Sequence, residues 1–359
     1  MDSLKLNRLE ADEVSINSTA TDFSFVVRGK ENFRNLAKED VTEYFRENGP
    51  SIKSLVEHNG ALLFRDLPLA KASEYEASLE ALGYDLLDSN YGGASPRSQV
   101  TDKTFISTEA PGSFIIGLHT EFCYQTTRPR MISFFCVTPP AGYGETPIFD
   151  CSRVWSSLST GLQSKLEKQG LLYKRYFPYK KSYLNFRKPW KEVFQTDSRD
   201  VVEAYLNSEG MTFNWDKDGG LATNLHLPAM LRHPFQNKEM ISISLFNVDS
   251  LTYNLRHFRE RYNPMLRMAL EWFIKWEYGH EDIFLKVLLG DGIPFSRAES
   301  EEIQRASWRN AIIFKWRPGD LMILNNISFA HSRLNVKKPR LILTAMAGKY
   351  DVRDYLSVE

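Results

Sequence analysis

Two histidines and one carboxylate place the strongest demand on how this chain can fold. His119 and Glu121 stand two residues apart in Gly117-Leu118-His119-Thr120-Glu121, and His331 stands about 210 residues further on, in Phe329-Ala330-His331-Ser332-Arg333. On an extended segment, residues i and i+2 point to the same side, so His119 and Glu121 can grip one ion together. Two imidazoles and a carboxylate cover one face of a metal octahedron and leave the other positions open, a donor set suited to Fe(II) and oxygen chemistry. His331 can join them only if a strand remote in sequence is brought alongside, which a β-barrel or sandwich does readily. His-X-Glu is a short motif, so its meaning depends on the segments around it.

The chain has 359 residues, of which 42% are hydrophobic, enough to bury a substantial core. No internal repeat or low-complexity tract offers a place for an interdomain linker, so a single domain over 1–359 is expected, with residues 1–20 as a loosely packed terminal segment. Lysine plus arginine equals aspartate plus glutamate at 45 each, which leaves no electrostatic footprint for nucleic acid or an anionic membrane and favours a small-molecule partner. The start Met1-Asp2-Ser3-Leu4-Lys5-Leu6 is not a signal peptide, and no apolar run approaches the ~18 residues of a membrane span, so a soluble cytoplasmic protein is expected. Cys123, Cys136 and Cys151 are odd in number and lack Cys-X-X-Cys spacing, which argues against a disulfide framework or zinc site. Buried free thiols are expected; Cys123 would face the metal cavity only if the His119 strand continued.

Asn59-Gly60 reads as a turn into the apolar strand Ala61-Leu62-Leu63-Phe64, and residues 70–82 have helical character ended by Gly83. Residues 131–137 form a compact apolar run between prolines, the profile of a buried strand. Asp150 or Ser152 can cap a helix in which Val154, Leu158, Leu162 and Leu166 recur every fourth residue, with Gly170 as its stop. A second helical region spans about 250–278, with Met268, Trp272 and Trp276 as a core-facing stripe. Towards the carboxyl terminus, strands are expected at 311–316 and 321–324 around the turn Arg317-Pro318-Gly319-Asp320, and again at 341–346. Short strands at close spacing point to a β-sandwich or barrel core.

A metal oxygenase that uses a dicarboxylate co-substrate needs an anchor for it, and a guanidinium suits a carboxylate because it binds through two parallel hydrogen bonds. Arg340, nine residues beyond His331 at the mouth of the next strand, is placed for this; Arg333, two residues from His331, is its rival.

An ordered series of segments resembles the TauD/TfdA family of Fe(II)- and 2-oxoglutarate-dependent dioxygenases, in its clavaminate synthase-like branch, which includes the amino-acid hydroxylases of syringomycin-type biosynthesis. The series covers about residues 55–350. It includes Gly60-Ala61-Leu62-Leu63-Phe64-Arg65, Ser95-Pro96-Arg97, Ser107-Thr108-Glu109, His119-Thr120-Glu121, Phe134-Phe135-Cys136, Gly144-Glu145-Thr146-Pro147 and His233-Pro234. It continues with Phe246-Asn247, Gly290-Asp291-Gly292, Trp316-Arg317-Pro318-Gly319-Asp320 and His331-Ser332-Arg333. The order of the blocks is far more specific than any one of them.

The resemblance implies an α+β fold with a double-stranded β-helix (jelly roll) core and flanking helices. It implies Fe(II) on His119, Glu121 and His331, with 2-oxoglutarate and O2 as co-substrates, and 2-oxoglutarate held by Thr146 and an arginine. Arg340 is the best match for that arginine, because the frequent Arg-Arg after proline is Arg340-Leu341 here, while Arg333 remains open. Asn247 matches a position that lines the active site, although a capping role would serve equally. The common Asp-Asn pair is Asn325-Asn326 here, and His-Gly-Arg is His331-Ser332-Arg333.

The implied activity is hydroxylation of an unactivated C–H bond in a small molecule of secondary metabolism, an amino acid or derivative, free or tethered to a carrier protein. Arg97, Arg128, Arg130 and Arg232 are candidate receptors for its carboxylate. Desaturation, cyclisation or epoxidation would use the same site, whereas Glu121 speaks against halogenation, since related halogenases lack that carboxylate. The alternatives from other classes are a jelly-roll binding protein without turnover, which has no need of a co-substrate anchor, and a metal hydrolase, for which the triad lacks a neighbouring general base.

Overall fold

The computed structural model describes residues 6–10, 12–14, 23–28, 37–88, 97–110, 112, 115–180, 188–244, 265, 268 and 285–356. Its largest sheet has seven strands in the spatial order Leu6–Asn7, Val26–Val27, Ala61–Phe64, Leu321–Asn325, Thr127–Thr138, Leu341–Asp351 and Phe105–Ile106. All pairings are antiparallel except that between Val26–Val27 and Ala61–Phe64. A four-stranded antiparallel sheet runs Ala311–Ile312, Ile148–Asp150, Phe329–Arg333, Ile116–His119. With the larger sheet it forms the jelly-roll core, and helices flank it.

Strand alternation explains why the central strands read as continuous apolar runs. Ile132, Phe134, Cys136, Met322 and Leu324 join the core shared with the smaller sheet, while Met131, Phe135, Leu321 and Ile323 pack in a second cluster with Val41, Phe45, Ile52, Val56, Tyr75 and Leu79. These last six belong to helices Lys38–Asn59 and Ala72–Ala81, which therefore cover the outer face of the larger sheet. A sheet covered on both faces needs apolar residues at every position, and each such side chain contributes about 1.5–3 kcal/mol on burial. Gly60 adopts φ +84° at the end of the first helix and donates its N–H to Val56 O, which turns the chain directly into the Ala61 strand.

Three expectations need revision. The stripe Val154, Leu158, Leu162 and Leu166 is buried throughout, but no single helix carries it: Val154 lies on Cys151–Ser156, Leu162 and Leu166 on Thr160–Gln169, and Leu158 in the break between them. Asp150 caps the first through the N–H groups of Ser152 and Arg153, and Ser159 caps the second through Leu162; between them the Ser156 and Ser157 hydroxyls donate to Arg153 O and close the first helix. The segments on either side of the turn at 317–320 lie in different sheets: Ala311–Ile312 in the smaller and Leu321–Asn325 in the larger, so the chain crosses the sandwich there. Met268 is 68% exposed, so it is not core-facing. Trp272 and Trp276 lie outside the described residues, as does Asn247.

The amino-terminal residues that are described pack against this frame. Leu6–Asn7 pairs with Val26–Val27, and the fully buried Glu13 carboxylate forms ion pairs with Arg65 and Arg317 at 3.1 Å each. A second four-stranded sheet, Leu285–Leu289, Leu171–Phe177, Leu221–Leu227, Thr212–Trp215, extends the core from 171 onwards. Among the described residues no helix is long and apolar enough to cross a membrane.

Candidate metal and co-substrate site

The two histidines meet through strand register. His331, in the middle of Phe329–Arg333, is paired directly with His119, the last residue of Ile116–His119, and their ring centroids lie 4.3 Å apart. One donor atom from each of His119, Glu121 and His331 lies within 4.8 Å of the other two, and among the described residues this is the one such group of histidine, cysteine and carboxylate side chains.

Glu121 reaches this place by a route the i, i+2 argument does not foresee. The strand ends at His119, and residues 121–124 form a turn in which Phe122 adopts φ +57°. The Glu121 backbone is held instead by Asn326, whose side chain is fully buried: Oδ1 accepts from Glu121 N at 2.7 Å, and Nδ2 donates to Glu121 O at 3.0 Å and to Pro129 O at 2.8 Å. Because the strand does not continue, Cys123 belongs to the packed core, where burial pushes its thiol up to about 11.

The protonation states suit metal binding. Burial lowers both imidazoles from their ordinary value, His331 well below it, with His119 and Arg97 adding to the effect at His331. Both are therefore neutral at physiological pH, the form that ligates a metal. His119 Nδ1 lies 2.9 Å from Gly117 O, which fixes the proton there and leaves Nε2 as the donor atom. The rings of Phe134 and His331 pack in a T-shaped arrangement with centroids 5.0 Å apart. Two neutral imidazoles, one carboxylate and a fixed tautomer fit a divalent first-row metal such as Fe(II).

A cavity opens beside these residues, lined by Arg97, Ser107, Thr108, Ile116, His119, Phe134, Thr146, His331, Ser332, Arg333 and Arg340. It thus gathers Thr146 and both rival arginines. The Thr146 oxygen accepts from Arg340 Nη2 at 3.1 Å and from Trp316 Nε1 at 3.2 Å, so its own proton is free to point elsewhere. Arg340 Nε donates to Gly144 O at 2.8 Å, and Arg333 Nη1 to Ala110 O at 2.8 Å. Burial lowers both guanidinium pKa values to about 10, and at Arg340 the neighbouring Arg333 contributes, so both remain cationic at neutral pH.

Of the four arginines considered for a substrate carboxylate, only Arg97 lines this cavity. Arg128 is buried and donates to Gln125 O, Cys123 O and Ser242 Oγ; Arg130 bonds Tyr355 OH; Arg232 pairs with Glu239. Arg97 also makes the contact that sequence reasoning missed, a 2.7 Å ion pair from Nη2 to Glu121 Oε2, with both side chains less than a tenth exposed. No spacing signals that pair, nor the one between Asn326 and Glu121.

Fold and cavity define an oxygenase of the metal- and keto-acid-dependent kind, and comparison with known proteins places it. The pattern of the family described as "Taurine catabolism dioxygenase TauD, TfdA family" matches residues 27–346; the chain belongs to this family and is an Fe(II)/2-oxoglutarate-dependent dioxygenase. Enzymes of the family use Fe(II), 2-oxoglutarate and O2. The chain is 26% identical over 300 residues to a clavaminate synthase-like protein of Arabidopsis thaliana, covering 82% of this chain and 83% of that one. It is also 26% identical over 308 residues to the dapdiamide synthesis protein DdaC of Enterobacter agglomerans, covering 85% and 87%. In fold it is similar to AAD-2, solved in complex with Mn(II) and N-oxalylglycine, with a TM-score of 0.50 and 12% identity over 97% of this chain and 98% of that one.

Proposed function

We propose that His119, Glu121 and His331 hold Fe(II), that Arg340 and Thr146 anchor the distal carboxylate of 2-oxoglutarate, and that the enzyme hydroxylates an unactivated C–H bond of an amino acid or amino-acid derivative. The observation that carries this reading is the cluster of His119, Glu121 and His331, the imidazoles brought together by strand register and Glu121 by its turn, beside a cavity lined by Thr146 and Arg340. Iron with O2 and 2-oxoglutarate supplies the oxidising power, coupled to release of succinate and CO2.

The chain's own residues set the geometry. Arg340 presents a cation whose Nε is fixed on Gly144 O, and the Thr146 hydroxyl, held by Trp316, has a proton to donate to the same carboxylate. Arg333 adds a second buried cation, which favours a dianionic co-substrate. Phe134 and Ile116 keep part of the wall apolar, and limiting water there strengthens the polar contacts. Asn247, outside the described residues, is proposed on the family resemblance alone to line the active site. The small-molecule reading is supported by a relative named for dapdiamide synthesis and another for likeness to clavaminate synthase. The amino acid is proposed as free or tethered to a carrier protein.

Anaerobic addition of Fe(II) and 2-oxoglutarate is expected to give a weak visible charge-transfer band, absent in His119→Ala and Glu121→Ala. A folded, iron-loaded protein without the band, or an Ala variant that still releases succinate, would refute the ligand assignment. Screening free and carrier-bound amino acids for stimulated succinate release tests the substrate class, and no stimulation by either set rejects it.

A further inference from the structure

We propose that Arg97 is a positioning residue that holds Glu121 as a one-oxygen metal ligand and so keeps a coordination position free for the co-substrate. The inference rests on the reading of His119, Glu121 and His331 as a metal site.

A glutamate carboxylate has two equivalent oxygens and a flexible stem, so unless something restrains it, it can chelate a divalent ion through both. Chelation by both would occupy one of the three positions that a two-histidine, one-carboxylate face leaves open. A bidentate keto acid and O2 together need all three. The structure places a restraint on one oxygen: Arg97 Nη2 lies 2.7 Å from Glu121 Oε2, and the same oxygen is 3.8 Å from His331 Nε2. The pair is 6% and 7% exposed, so water competes weakly for it. The Glu121 backbone is fixed separately by Asn326, which leaves the side-chain torsions free, and the guanidinium restrains the carboxylate at their end through Oε2. Arg97 Nη1 lies 3.9 Å from Met346 Sδ on the strand Leu341–Asp351, which sets the direction from which the guanidinium approaches. Arg97 therefore acts through Glu121.

This role makes a prediction with opposite signs. Arg97 and the metal draw on the charge of one carboxylate, so removing Arg97 strengthens metal binding. The freed oxygen then takes a position that 2-oxoglutarate needs, so co-substrate binding weakens. A general loss of structure weakens both.

The test uses Mn(II) in place of iron, without substrate. Line broadening by ¹⁷O-water counts the waters on bound Mn(II), and titration gives the affinities for Mn(II) and for 2-oxoglutarate. The native chain is expected to show three waters. Arg97→Met should show two, with Mn(II) bound roughly threefold to tenfold tighter and 2-oxoglutarate about tenfold weaker. Arg97→Lys, which restores a cation and a donor near Oε2, should return the native count. Because removing Arg97 leaves a buried carboxylate uncompensated, Mn(II) should also raise the melting temperature of Arg97→Met more than that of the native chain. Three waters in Arg97→Met, both affinities falling together, or Arg97→Lys indistinguishable from Arg97→Met would each overturn the proposal while leaving the metal site standing. A native chain that does not bind Mn(II), or binds it equally after His119→Ala, overturns the metal site and the proposal with it.

Discussion

Asn326 offers the sharpest test of how the fold builds the site. Its side chain is fully buried and spends one acceptor and two donor contacts on Glu121 N, Glu121 O and Pro129 O. The orientation of the amide is forced, because an N–H needs the oxygen and two carbonyls need the nitrogen. Asn326→Ala removes all three bonds, at roughly 1 kcal/mol each, and strands backbone groups whose burial unpaired costs about 1–3 kcal/mol apiece. With partial relaxation, a loss of about 3–5 kcal/mol is expected, a large share of the roughly 5–15 kcal/mol that holds a domain together. Asn326→Asp keeps the shape and the acceptor for Glu121 N, but turns an oxygen towards two carbonyls and buries a charge, so it should be at least as damaging. Urea unfolding of the metal-free protein, with the slope checked for constancy, measures the loss, and Mn(II) titration should show at least about tenfold weaker binding as Glu121 loses its support. If Asn326→Asp is as stable as the native chain, or Asn326→Ala costs under about 1 kcal/mol with Mn(II) affinity unchanged, the positioning argument fails.

Arg340→Met should raise the KM for 2-oxoglutarate about a hundredfold, the value of a charge-assisted carboxylate contact near 3 kcal/mol, and Arg333→Met far less; the reverse order would hand the anchor to Arg333. Thr146→Val removes the hydroxyl that Trp316 and Arg340 hold and should raise that KM roughly tenfold with kcat little changed; an unaltered KM takes Thr146 out of the co-substrate site. Burial depresses the imidazoles of His119 and His331 below 6.5, so the folded metal-free protein keeps them neutral while the unfolded chain protonates. Their contribution is whole above pH 6.5 and should be lost as pH falls towards the folded values, at up to about 1.4 kcal/mol per pH unit for each imidazole. Urea midpoints at pH 7.5 and 5.5 measure this, and an equal drop in a His119→Gln/His331→Gln double variant would exclude the imidazoles as its source.

What the sequence conveyed and what it hid divide along physical lines. The strands at 61–64, 131–137 and 341–346 were legible because a sheet buried on both faces writes unbroken apolar runs, and Gly60 marked the turn into the first of them. The break at 157–159 was not, since a fourfold repeat of apolar residues survives when one helix becomes two that share a buried face; the serines that cap and close the pieces carried the signal instead. The crossing between sheets at 313–320 was hidden for a different reason. A turn signal reports that the chain bends, whereas the partners of each strand are set by distant segments: Ile148 and Phe149 on one side, Ala61–Phe64 and Met131–Phe135 on the other.

The same division runs through the site. The candidate donors were legible, because few donor sets suit Fe(II), and the structure gathers His119, Glu121 and His331 within 4.8 Å of one another. Ligand geometry was not. The histidines owe their meeting to one register pair between antiparallel strands, and a shift of that register by one residue would turn His331 to the opposite face. Glu121 stands on a turn, with no ladder of its own to fix it, and depends on Asn326 for its backbone and Arg97 for its carboxylate. Two of the proposed ligands are thus held by main-chain pairing and the third by two side chains remote in sequence. Variation at 326 should therefore tune the site through Glu121, and variation at 97 through Glu121 and through the charge it places beside the imidazoles, whose own placement tolerates change that leaves the strands in register.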